Sequence, residues 1–322
     1  MRYVTFIVLL ISIVGAFLAY GPGGLLKPLR VTENITFIIK KGDSTQTIAQ
    51  SLEEQKIIPH TLSFLAGAAF IKLKRQPLKH GEYLIEPKLT LWKLLQKIAK
   101  GEVVVHYLTI PEGLTVYEVS KKLEEISILN GTIALPSEGT VLPKTYDYYW
   151  GESKQQVIQR MVKNMDSLKN KVWALYEKQS ALKSWDEVLI LASIVEKETG
   201  LPEERDLVAS VYLNRLKKSM PLQADPTIIY AATKGQTSFH RPISKSDLTI
   251  DSSYNTYTKK GLPPTPIACP GEASIMAVLK PAQTEYLYFV ANDTGGHEFS
   301  TNLKAHNKHV QTLRTIEKKR KK

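Results

Sequence analysis

The stretch Ser184-Trp185-Asp186-Glu187-Val188-Leu189-Ile190-Leu191-Ala192-Ser193-Ile194-Val195-Glu196-Lys197-Glu198-Thr199-Gly200 sets a carboxylate near the end of an apolar run, where charge is costly. Ser184 with Glu187 three residues on is a capping box, and Gly200 followed by Pro202 is a stop signal, so the spacing predicts a helix over 185–199. Leu189, Ala192 and Ser193 lie seven, four and three residues before Glu196, which puts its carboxylate on their face and turns Glu198 elsewhere. Burial disfavours the charged form of a carboxyl group and makes a proton donor near neutral pH. Glu196 is therefore the candidate catalytic acid, and the plainer alternative is a Glu paired with an Arg or Lys at the helix end.

Outward from that helix, the chain of 322 residues is long enough for two domains, and 43% hydrophobic with 23% charged residues is an ordinary globular balance. Residues 4–20 carry no charge and are apolar apart from Thr5 and Ser12. This run reads as a single membrane-spanning anchor, or alternatively as a cleaved signal peptide with a small-x-small pattern at Ala19-Tyr20-Gly21. The anchor is favoured because the run exceeds the about 7–15 residues of a signal-peptide apolar region. Either way the remainder is exported or membrane-tethered.

The formal charge of +12 includes five charges at Lys318, Lys319, Arg320, Lys321 and Lys322, which read as a solvated basic tail and leave +7 for the rest. No nucleic-acid-binding signature accompanies that charge, so nucleic acid is not an expected partner. Cys269 stands alone, which excludes an internal disulfide framework and a cysteine metal site and reads as a small buried apolar residue.

Five parts are expected: a tip and transmembrane anchor over 1–21, a linker over 22–33, a small α+β subdomain over 34–102, a larger mixed α+β catalytic domain over 103–316 and the basic tail over 317–322. In the subdomain, a strand at 36–39, a turn at 41–44, helices at 45–54 and 62–73, a strand at 81–85 and a helix at 91–99 closed by Gly101 follow from composition and period. Phe37, Ile39, Gly42, Ser44, Ile48, Ala49 and Leu52 resemble the first half of a LysM glycan-binding module; the alternative is a spacer that does not grip sugar. Beyond it come a strand at 103–110 and helices at 115–129, 154–177 and 202–218.

Polar motifs then gather in segments that read as loops: Gln223-Ala224-Asp225-Pro226-Thr227, Tyr254-Asn255-Thr256-Tyr257, Gly261-Leu262-Pro263-Pro264, and Gly295-Gly296-His297-Glu298-Phe299-Ser300-Thr301-Asn302 with His306-Asn307. Amides, hydroxyls and aromatic rings suit neutral sugars, which offer hydroxyls and an apolar ring face and call for neither metal nor cofactor. With Leu191-Ala192-Ser193-Ile194-Val195-Glu196-Lys197-Glu198-Thr199, these motifs closely resemble the YceG-like (MltG) endolytic murein transglycosylase family. Glu138-Gly139, Pro143, Thr145 and Tyr146 match an upstream family element, although Leu142 and Lys144 depart from it.

The resemblance implies a lytic transglycosylase, a lyase that cuts peptidoglycan glycan strands between N-acetylmuramic acid and N-acetylglucosamine and leaves 1,6-anhydro ends. It implies a single-pass inner-membrane protein with its catalytic domain on the periplasmic or extracytoplasmic side, beside peptidoglycan synthases, ending nascent strands. Glu196 would be the single acid and base, with Gln223, Asp225, Thr227, Tyr254, Asn255, Tyr257, Phe299, Asn302, His306 and Asn307 as substrate contacts. The competing reading is a non-catalytic peptidoglycan-binding scaffold; a hydrolase would need a second carboxylate, for which Asp225 is the attractive choice.

Overall fold

The apolar N-terminal run folds as helix α1, Arg2–Tyr20, in a computed structural model that describes residues 2–21, 23–175 and 181–320. Met1, Pro22, Lys321, Lys322 and Glu177, where the long helix is predicted to end, lie outside the described residues. Among the described residues no helix is long and apolar enough to cross a membrane; in α1 the side chain of Leu18 lies outside them. The described large apolar side chains of α1 are bare, from Tyr3 at 87% exposed to Val14 at 49%.

The chain divides into two units, one of residues 1–107 with 128–130 and 147–152, the other of 108–127, 131–146 and 153–320 of the described chain. In the first, strand β1, Ile35–Ile39, leads through a turn to helices α2, Thr45–Glu54, and α3, Leu62–Leu73, and returns as strand β2, Gly81–Ile85. The strands pair antiparallel with Phe37 opposite Tyr83 and Ile35 opposite Ile85. Alternation buries Phe37, Ile39, Tyr83 and Ile85 on one face, as a period of two requires. Helix α4, Leu91–Lys100, closes the core with Leu91, Leu94, Leu95 and Ile98, and ends on Gly101 at φ +77°, where glycine alone avoids a Cβ penalty. Ser44 caps α2 by accepting the Thr47 N–H at 3.0 Å. Ser44→Ala is expected to cost about 1 kcal/mol of stability, read as a shifted urea midpoint at constant m.

Strands β3, His106–Thr109, and β4, Thr145–Tyr148, form a second two-stranded sheet. Helix α5, Val116–Glu124, is shorter than predicted, because Asn130 N–H to the Glu152 carbonyl at 2.8 Å and Gly151 N–H to the Ile128 carbonyl at 2.9 Å draw 128–130 away from the helix axis. Helix α6, Lys154–Val172, ends in a 3-10 turn at Trp173–Leu175.

The second unit is built around helix α7, Trp185–Glu198. Its residues from Val188 to Val195 are all buried, so it is apolar all round rather than on one face. Around it pack helix α8, Arg205–Lys217, after a 3-10 turn at Pro202–Glu204, then α9, Asp225–Thr233, and α10, Glu272–Leu279. Strands β5, Tyr288–Ala291, and β6, His297–Ser300, form a hairpin with Phe289 opposite Phe299, followed by helix α11, Leu303–Arg320.

Three polar motifs that read as loops are therefore regular structure. Asp225 opens α9 with Pro226 in its first turn, where a missing N–H costs nothing, His297 to Ser300 is strand β6, and His306 and Asn307 ride on α11. The basic tail is also partly helical: α11 runs through Arg320, and cations at a helix C-terminus are favoured by its dipole.

Candidate active site

Two carboxylates two residues apart on a helix point about 200° apart, so Glu196 and Glu198 at the end of α7 serve opposite sides. Glu196 is enclosed by protein groups. Its side chain is only 5% exposed; Oε2 accepts the Gly271 N–H at 2.8 Å, and Oε1 lies 3.7 Å from the Arg205 guanidinium, which is also 3.7 Å from Glu112. Burial, then the Glu196 charge, pushes the Glu112 carboxyl above its ordinary range against the pull of Arg205. Lys197 donates to the Gly113 carbonyl at 3.1 Å. The ion pair named as the plainer alternative for Glu196 is thus present, and it ties the loops before α5 and α10 to α7.

Glu198 faces a cavity of about 340 Å³, with Tyr212, Arg215, Gln223, Asp225, Tyr257 and His297 around it. The Tyr212 hydroxyl donates to Glu198 Oε1 at 2.6 Å, and the Tyr257 hydroxyl donates to Asp225 Oδ1. Burial pushes the Glu198 carboxyl up to about 7; the Asp225 charge adds to this, while the Tyr212 bond and the Arg215 cation pull it down. A carboxyl group half protonated at neutral pH in a cleft is the signature of a general acid.

The walls are held from behind. Arg215 donates through Nε to the Leu287 carbonyl at 2.7 Å and through Nη1 to the Leu222 carbonyl at 2.8 Å, with its guanidinium 5.1 Å over the Tyr288 ring. Gln223 sits at φ +52°, a left-handed conformation that costs a non-glycine residue about 1 kcal/mol. That turn is fastened by Thr256, whose carbonyl accepts the Gln223 N–H at 3.0 Å and whose hydroxyl meets the Ala224 N–H at 3.0 Å and the Thr227 hydroxyl at 2.8 Å. On the far wall, His306 stacks on Tyr288 with centroids 5.4 Å apart. Burial, then the Arg215 and His309 charges, holds His306 below its ordinary range.

The model of the YceG-like family matches residues 37–312. The chain belongs to the YceG-like family. This YceG-like chain is 32% identical over 332 aligned residues to a Bacillus subtilis (strain 168) protein named endolytic murein transglycosylase, covering 91% of this chain and 89% of that one. Proteins of the same name from Streptococcus pneumoniae D39 and R6 are 28% and 30% identical over 86% of this chain, which spans 58% of their length. A crystal structure of a yceG-like protein from Listeria monocytogenes superposes with a TM-score of 0.56 at 32% identity, covering 86% of this chain and 99% of that one.

Of the sugar contacts expected in the YceG-like chain, Gln223, Asp225, Tyr257 and His306 meet at the cavity with Glu198. Thr227 and Asn255 are completely buried and brace the backbone. Tyr254 lies against Tyr230, with centroids 4.9 Å apart, and bonds Thr265. Phe299 packs behind the hairpin on Phe289 and Tyr286. Asn302 accepts the Ala305 N–H at 3.0 Å in the first turn of α11, and Asn307 is exposed on that helix.

Tyr212, Arg215 and Phe289 line the cavity without having been foreseen, and so does His297, which stands in a quoted polar motif but not among the expected contacts. Tyr212 and Arg215 stand three apart on α8, a spacing that sets a hydroxyl and a cation on one face. Their signal was legible but looked like ordinary helix content.

Proposed function

We propose that this chain is an endolytic murein transglycosylase whose acid is Glu198. The observation that carries the assignment is one carboxyl group of a polar cavity, Glu198, raised to about 7 and held by Tyr212. Protonated Glu198 donates to the glycosidic oxygen between N-acetylmuramic acid and N-acetylglucosamine as positive charge develops at C1. The C6 hydroxyl of the muramyl sugar closes on C1 and gives a 1,6-anhydro end, so no water nucleophile is required. Family membership and the names carried by the relatives support this reading.

Asp225 in the same cavity favours a second reading, hydrolysis with two carboxylates. The Tyr257 hydroxyl occupies one of its oxygens. Digestion of purified glycan strands by the full chain in detergent separates the readings: mass spectrometry showing anhydro ends supports the transglycosylase, borohydride-reducible ends support the hydrolase, and binding without cleavage supports a scaffold. Because the acid must be protonated, turnover falls about tenfold per pH unit above about pH 7 and levels off below it on that limb.

The bare apolar surface of α1 supports a single-pass anchor in the cytoplasmic membrane, with the second unit on the extracytoplasmic side beside the synthases whose strands it would end. The strand-helix-helix-strand order of β1, α2, α3 and β2 supports a LysM-like subdomain.

A further inference from the structure

Helix α3 is apolar on every side and carries no charge before Lys72. One side meets the core of the first unit through Phe64, Ala68 and Ile71. On the other, Leu62 at 57%, Phe70 at 48% and Leu73 at 82% stand bare, with exposed Ala69 among them. These four positions fall within about 100° of one another around the helix, so they form one stripe. A bare apolar stripe behind a packed face calls for an apolar neighbour.

The same unit contains α1, and the chain leaving that helix turns back against its end. Leu26 N–H donates to the Ala19 carbonyl at 3.0 Å, and Trp92 N–H donates to the Leu25 carbonyl at 2.8 Å. These bonds bring the start of α4 to the last turn of α1. The Trp92 ring then meets the Phe70 ring of α3 with centroids 5.8 Å apart. Gly67 of α3 leaves no room for a side chain, since a Cβ there would lie 2.6 Å from Leu25 Cδ2. Tyr20, Phe70 and Trp92 thus stand where α1 ends, and aromatic rings favour the boundary between bilayer and water.

Charge completes the pattern. From Gln55 to Gly81 the sequence holds no acidic residue, while Lys72, Lys74 and Arg75 are exposed at the end of the stripe. The Lys74 ammonium lies 4.9 Å over the Phe70 ring. An apolar stripe that ends in cations matches an anionic phospholipid surface, with side-chain stems among the acyl chains and charged heads at the phosphates. An acidic wall polymer would meet the cations and leave the stripe in water.

We propose that the outer face of α3, with Trp92, seats in the surface of an anionic phospholipid bilayer and holds the first unit against the membrane from which α1 emerges. The inference rests on the reading of α1 as a membrane anchor. The unit is then fixed at two points, α1 and α3, and keeps one height and one orientation above the bilayer.

The test uses the full chain with Leu73→Cys, labelled with an environment-sensitive fluorophore. Leu73 is too exposed for the change to disturb packing, and the buried Cys269 stays unlabelled, which wild type treated alike checks. The chain is reconstituted in vesicles of phosphatidylcholine and phosphatidylglycerol, doped with a lipid that carries a nitroxide either just below the headgroup or near the end of its acyl chain. The shallow nitroxide is expected to quench the label at least about threefold more than the deep one, because an interfacial helix lies about 5–10 Å below the headgroups. Lys72→Glu, Lys74→Glu and Arg75→Glu combined are expected to lower the ratio of seated to free label about tenfold, with circular dichroism unchanged.

A label quenched by neither nitroxide, in vesicles that keep the chain through an alkaline carbonate wash, would overturn the inference and leave the anchor standing. So would quenching indifferent to the triple charge reversal, or a label shielded only when polyglycerol phosphate is added. A chain that alkaline carbonate strips from the vesicles sinks the anchor reading itself.

Discussion

Glu198→Gln is expected to lower anhydro-end formation by at least about 10³-fold, on the order of 4 kcal/mol of lost transition-state stabilisation. The amide is isosteric and still accepts the Tyr212 hydroxyl bond at 2.6 Å, so the fold and the cavity wall survive while the transferable proton does not. Glu196→Gln is the necessary companion. It keeps an acceptor for the Gly271 N–H and loses only the 3.7 Å ion pair with Arg205, so its turnover should stay within about tenfold of wild type. Measured side by side with circular dichroism as a folding control, the two variants decide between the carboxylates. The opposite ranking would return the acid role to Glu196.

Asn255→Ala is expected to destabilise the second unit by about 3 kcal/mol, read by urea unfolding. The Asn255 amide donates to the Leu248 carbonyl at 3.0 Å and the Ile250 carbonyl at 2.8 Å, and its oxygen accepts the Tyr257 N–H at 2.9 Å and the Thr258 N–H at 3.3 Å. Alanine leaves the Leu248 and Ile250 carbonyls and the Tyr257 N–H without their partner inside a site that is 0% exposed, while the Thr258 N–H keeps the residue's own backbone carbonyl at 3.3 Å. Activity falls with stability, because the same loop carries Tyr257 to Asp225. A variant that kept its unfolding midpoint and lost substrate affinity would instead make Asn255 a sugar contact.

The small unit was legible almost to the residue. Strand 81–85 and helices 45–54 and 62–73 match β2, α2 and α3, because turn residues and caps mark their ends and one face of each is apolar. The α7 boundaries were legible for the same reason, since the Ser184 cap and Gly200 are local signals. What lay beyond reach was the choice between Glu196 and Glu198. An all-apolar helix has no distinguished face, so period alone cannot say which side is packing and which is cavity. That choice depends on Arg205 and Gly271 from one direction and Tyr212 and Asp225 from the other. The polar motifs read as sugar contacts by residue type alone, and residue type does not reveal that Asn255 and Thr227 spend the same amide and hydroxyl on holding a turn.

The two-residue spacing at the end of α7 also limits how this helix can change in evolution. One inserted or deleted residue between Ser184 and Glu196 would rotate everything after it by about 100°, swinging Glu196 off its guanidinium and Glu198 off its tyrosine together. Length variation among relatives should therefore fall in the connections before Ser184 and in the segment between α9 and α10, and leave the number of residues in α7 constant. An apolar substitution within the helix preserves this register; an in-frame insertion or deletion of a single codon does not.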